Sequence, residues 1–186
     1  MLVDCGAVLV DTDAIAHALT APGGAALPAL AGEFGPSIIA ADGSMDRGHM
    51  RARAFGDAGA RRRLEAILHP MIGAEATRQA SRAGAKPVVF DVPLLAASSH
   101  WRQRVTRVLV VDCLEATQVQ RVTQRSGWTE EQVHRVIAQQ STRPARRALA
   151  DAVIFNDGLS QAALREEVRS LWKLWSSRSQ GSAMGV

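Results

Sequence analysis

The chain has 186 residues, 47% of them apolar and 22% charged, an ordinary balance for a soluble globular protein with one sizeable core. No apolar run is long enough to span a bilayer, and the start MLVDCG lacks the basic and apolar regions of a secretory leader, so a cytoplasmic location without a membrane partner is expected. The net charge of +4 rests on arginine, because lysine occurs only at Lys86 and Lys173, and guanidinium groups favour phosphorylated small molecules. Aromatic residues make up 4% with no tyrosine, and the arginines spread over several helices, which argues against nucleic acid as the partner.

In chain order, Val8 to Val10 form the first buried strand, and Asp11 and Asp13 stand at its carboxyl end, where the ligand crevice of an open parallel α/β sheet lies. Two carboxylates there can hold a metal, accept the proton of a substrate hydroxyl, or cap the helix of Ala14 to Leu19, a role that needs only one of them. The stretch from Ala18 to Lys86 is too long for one crossover and reads as a lobe. It is turn-rich from Gly32 to Gly48 and helical from Arg61 to Leu68, with Pro70 biasing the chain out of helix. Arg61, Arg62 and Arg63 read as a solvated helix face, and His69 as a structural histidine or a phosphate or ribose contact.

A second strand, Val88 to Asp91, ends in a carboxylate that suits a magnesium-bound water or a fixed turn before Pro93. A third strand is expected over Val105 to Val111 and a fourth over Val153 to Phe155, and strands alternating with helices predict a parallel sheet with right-handed crossovers. Leu114 to Ser126 reads as a helix closed by Gly127. Thr129 and Gln132 form a capping box that opens a helix to about Gln140, and Arg143-Pro144 opens another. Arg121 and Arg125 share one helix face, and Arg143 and Arg147 repeat the spacing. The cluster reads equally as a closure over a triphosphate or as a solvated basic face paired with Glu115, Glu130 and Glu131. Ser160 to Trp175 is an amphipathic helix, and residues 176 to 186 are expected to be a disordered tail. Cys5 and Cys113 read as reduced thiols.

Taken in order, the stretches VDTDAIAH at 10 to 17, IIAADGSMDR at 38 to 47, LHPMI at 68 to 72, VPLL at 92 to 95, VLVVDCLEATQVQRVTQR at 108 to 125, and TEEQV through ADAVIFNDG at 129 to 158 resemble the dephospho-CoA kinase family. The resemblance covers nearly the whole chain. It implies a P-loop-kinase-type α/β fold: a parallel sheet flanked by helices, with a helical coenzyme-binding lobe and a helical lid. The chain is then one domain, with a core of about 1–31, 86–120 and 150–175, a lobe of about 32–85 and a lid of about 121–149.

The implied activity is transfer of phosphate from ATP, with Mg²⁺, to the 3′-hydroxyl of dephospho-CoA. Asp13 matches the family's general base, and Asp11 assists through metal or substrate, with Asp91 a second metal candidate. Arg121, Arg125, Arg143 and Arg147 match the lid that meets ATP phosphates, and Asn156 belongs to a turn near adenine. His69, Pro93 and Leu94 fall on the coenzyme side.

Two departures stand out. Ala96-Ala97-Ser98 replaces the glutamate that usually follows VPLL. The family also opens on a strand and a Gly-rich loop ending in Gly-Lys-Ser/Thr, whereas this sequence contains no GxxxxGK[ST]. The expectation is therefore a sheet lacking its first, central strand and its phosphate loop, with inner strand edges left open and activity in doubt. The alternatives are a coenzyme-binding or interaction protein without catalysis, another P-loop small-molecule kinase and, more distantly, an arginine-rich nucleic-acid binder.

Overall fold

A computed structural model of the chain describes residues 1–93 and 99–181. Internal contacts group the chain into two compact units, Gly6–Val92, and Met1–Cys5 with Pro93–Val186. Among the described residues four strands pair as two two-stranded parallel sheets, strands alternating with helices as expected.

In the unit Gly6–Val92, β1 (Val8–Asp11) pairs in parallel with β2 (Val88–Asp91), Val8 opposite Val88 through Asp11 opposite Asp91. Val10 is fully buried, whereas Leu9 points outward, so β1 is not covered on both faces as its apolar run predicts. Four helices separate the strands: α1 (Thr12–Thr20), α2 (Leu27–Phe34), α3 (Arg47–Gly56) and α4 (Ala58–Ser81). Three start on aspartate caps: Asp11 accepts from the Ala14 N–H, Asp46 from His49 and Asp57 from Gly59, each satisfying a donor with no partner inside the helix.

After α1 the chain doubles back at Gly24, where a Cβ would stand 2.3 Å from the Leu19 carbonyl oxygen, and only glycine fits so close to backbone. The turn-rich segment holds a 3₁₀ turn, Pro36–Ile38, and a single antiparallel bridge between Ile39 and Met45. Its apolar residues feed a core of Leu30, Phe34, Ile38, Met45 and Met50, with Leu64, Ile67, Leu68 and Met71 of α4 packed against it.

Pro70 corrects the expectation of a helix break, because α4 runs 24 residues straight through it. Proline removes one hydrogen bond and crowds the preceding turn, but α4 packs on α1, α2, α3 and β1. Burial along its length outweighs that local loss.

In the other unit, β3 (Leu109–Asp112) pairs in parallel with β4 (Ala152–Phe155), Asp112 opposite Phe155. The third strand is shorter than expected because the chain before it bonds to a side chain: the Val108 N–H donates to Asp151 Oδ2 at 2.7 Å. Val111 and Phe155 are exposed. The helices are α5 (Ser99–Arg102), α6 (Glu115–Ser126), α7 (Glu130–Ala138), α8 (Arg143–Ala148) and α9 (Gln161–Gly181). Gly127 ends α6 in the left-handed region at φ 66°, and both halves of the Thr129/Gln132 capping box form on α7. The last helix continues to Gly181, past the expected start of the tail at 176. An established helix gains one bond per added residue, which the serines there do not prevent.

Candidate active site

The carboxyl ends of β1 and β2 bring Asp11, Asp13 and Asp91 together, as strand-ending carboxylates in a parallel pair must. Asp11 is committed in part: its Oδ1 accepts from the Ala14 N–H at 2.9 Å and starts α1. Thr12, buried beside it, donates its hydroxyl to the Asp91 carbonyl at 2.7 Å, tying the helix start to the end of β2. Asp13 lies exposed in the first turn of α1. Partial burial, and then the negative charges of Asp11 and Asp13, hold the Asp91 carboxyl above its usual range. The edge is therefore an acidic concentration. Among the described residues no group of three or more His, Cys, Asp or Glu is set to hold a metal ion, so any metal held here relies on few protein oxygens.

The carboxyl ends of β3 and β4 carry the opposite charge balance. Asp112 closes β3 with its side chain 1% exposed. Arg143 meets it through Nε at 2.9 Å and Nη2 at 2.7 Å, and Arg147 adds Nη1 at 3.0 Å. Hydrogen bonding to Arg143 and then Arg147 outweighs burial and brings the Asp112 carboxyl down to about 2. The Asn156 N–H donates to the Asp112 carbonyl at 2.7 Å. Next to it, Asp157 accepts from the Leu114 N–H and the Thr117 hydroxyl, both at 2.8 Å. Leu114 has no side-chain oxygen with which to cap α6, and Asp157 satisfies its N–H from across the sheet end. These bonds, with the charges of Arg121 and Arg143, lower the Asp157 carboxyl. Cys113 is a free thiol that burial pushes up, against the pull of Arg121.

Arg121, Arg143 and Arg147 of the lid segment and Asn156 after β4 thus gather at one sheet end. Arg125 instead lines a cleft of about 240 Å³ with Val122, Trp128, Val133 and Ile137. His69 sits exposed on α4 and Pro93 is exposed after β2; Leu94 lies outside the described residues. Asp112 is a site residue beyond those the sequence singles out, although VLVVD ends in aspartate as VLVD and VVFD do.

A sequence model of the dephospho-CoA kinase family matches residues 1–162. The chain is 55% identical to the dephospho-CoA kinase of Burkholderia pseudomallei, over 89% of this chain and 82% of the relative. It is 49% identical to that of Bordetella parapertussis, over 100% and 90%. Among solved structures it resembles a Thermus thermophilus protein at a TM-score of 0.79 and 25% identity, covering 95% of this chain and 87% of that one. A dephospho-CoA kinase from Campylobacter jejuni has the same fold, with a TM-score of 0.67 at 21% identity over 95% and 88%. With two thirds of its residues and more aligned at such identity, this chain belongs to the dephospho-CoA kinase family.

Proposed function

We propose that the chain transfers the terminal phosphoryl group of ATP to the 3′-hydroxyl of dephospho-CoA, the last step of coenzyme A synthesis, in the cytoplasm. The observation that carries the chemistry is the division of labour at the end of β1: Asp11 caps α1, which leaves Asp13 exposed in the first turn as the carboxylate free of a capping duty. A carboxylate so placed accepts the hydroxyl proton as the phosphoryl group arrives. Asp11 and Asp91 would hold Mg²⁺, a hard cation for which one or two protein carboxylates suffice. The repulsion felt by Asp91 supports that assignment, and the ion, when bound, would neutralise charge on the phosphates. Arg121, Arg125, Arg143, Arg147 and Asn156 are assigned to ATP and the lid around it, and His69, Pro93 and Leu94 to the coenzyme.

One observation favours a second reading, coenzyme binding without turnover: the 186 residues hold no GxxxxGK[ST] run, the element that would otherwise surround the β-phosphate with N–H groups. ADP release with dephospho-CoA and MgATP, measured beside calorimetric binding of dephospho-CoA, separates the two. Turnover that falls about 100-fold or more in Asp13→Asn, the scale of general-base catalysis, with coenzyme binding kept, supports the transferase. An Asp13→Asn variant as fast as the parent removes Asp13 as base, and coenzyme binding by a parent chain that releases no ADP selects the second reading.

A further inference from the structure

We infer that Asp112 is a positioning residue that divides the two arginines of α8: it immobilises Arg143 and orients Arg147 so that the unused edge of that guanidinium meets an ATP phosphate. The inference rests on the proposed role of ATP and goes beyond it, since it assigns different work to two arginines that sequence spacing makes equivalent.

Arg143 is spent. Its Nε and Nη2 form a two-pronged bond to both oxygens of Asp112, the geometry in which guanidinium matches carboxylate best. Its guanidinium carbon also lies 5.9 Å from the centre of the Phe155 ring, a cation–π distance that fixes the plane a second time. Arg147 reaches Asp112 through Nη1 alone. Its Nε and Nη2 remain beyond that bond, and its side chain is 49% exposed against 30% for Arg143.

The alternative, in which both arginines swing away to a triphosphate, would strand Asp112, whose side chain is closed to water. A buried carboxylate stripped of its partners is the costly half of such a pair. The charges acting on this site support a retained pairing as well. Arg121, Arg143 and Arg147 face Asp112 and Asp157, which leaves one net positive charge for an anion with both carboxylates still satisfied. A single-edge bond thus restrains a long side chain before the ligand arrives, and less rotamer freedom is lost on binding.

The test is equilibrium binding of ATP and of adenosine to the full chain, with thermal melting recorded for each variant. A purely structural staple would weaken both ligands together; a phosphate-positioning residue weakens only ATP. Asp112→Asn is expected to weaken ATP about tenfold while adenosine binding holds, and to add little to the same loss in Arg147→Ala, because coupled residues are not additive. Tighter ATP binding in Asp112→Asn, equal loss of both ligands, or full additivity with Arg147→Ala overturns the inference. If Asp112→Asn does not fold, Arg147→Lys decides, since it keeps the charge and loses the planar fork: an ATP-to-adenosine ratio that falls about tenfold with the melting point kept supports the division, and a ratio unchanged within about threefold defeats it. A parent chain that binds adenosine but gains nothing from the phosphates sinks the ATP reading itself, and this inference with it. With ATP bound by the parent, an unchanged Asp112→Asn overturns the positioning role alone.

Discussion

Asp91 is where like charges meet, and its behaviour follows from what lies around it. Its carboxyl is raised by burial and by Asp11 and Asp13, so the folded state holds its proton more tightly than the unfolded chain does. Ionised Asp91 therefore opposes folding above its folded pKa; the penalty shrinks as pH falls through that value and is gone below the unfolded one. Asp91→Asn is expected to melt higher than the parent near pH 7, and the difference should vanish below about pH 4, where the parent residue is protonated. Thermal denaturation across pH checks both halves. A melting point unchanged at pH 7 would show that Asp91 feels neither neighbour. The acid pairing at Asp11 was readable from an Asp-x-Asp after an apolar run. That one of the two would cap the helix was readable as well; which one was not, because only the helix start at Thr12 decides which oxygen meets an N–H group.

At the level of elements, the lid helices follow rules that act over a few residues. Thr129 and Gln132 close a box on the first turn of α7, and Val133 at its buried face joins the helix to its neighbour α6. Thr129→Ala should cost about 1 kcal/mol in urea unfolding. A loss within error would mean that packing of Val133, not the box, sets the start of the helix. Gly127 and the Arg143-Pro144 helix start were likewise legible, since caps and proline positions are local. Pro70 was misleading for the complementary reason. Its effect on the backbone is local, but α4 persists because helices far away in sequence cover it.

Over the whole molecule, each unit holds itself together by a different means. The unit Gly6–Val92 has a core in which Leu30 and Ile38 are fully buried. Leu30→Ala should lower stability by about 2–5 kcal/mol, read from the denaturation midpoint, and an effect below 1 kcal/mol would show that the site collapses around the cavity. In the other unit, Arg143 and Arg147 of α8 tie the end of β3 through Asp112 to a later helix, and Asp157 after β4 bonds back to Leu114 and Thr117 at the start of α6. The sequence by itself determined the four strands, the helices after β1, β3 and β4, the Gly127 and Thr129 caps, the carboxylates that end β1 and β2 and membership of the kinase family, all of which depend on residue types at short spacing or on their order. Only the tertiary structure decided that α2 and α3 form within the lobe, that α4 passes through its proline, and that one arginine pair closes on Asp112. Those outcomes depend on which distant segments bury one another, and no local periodicity encodes that choice.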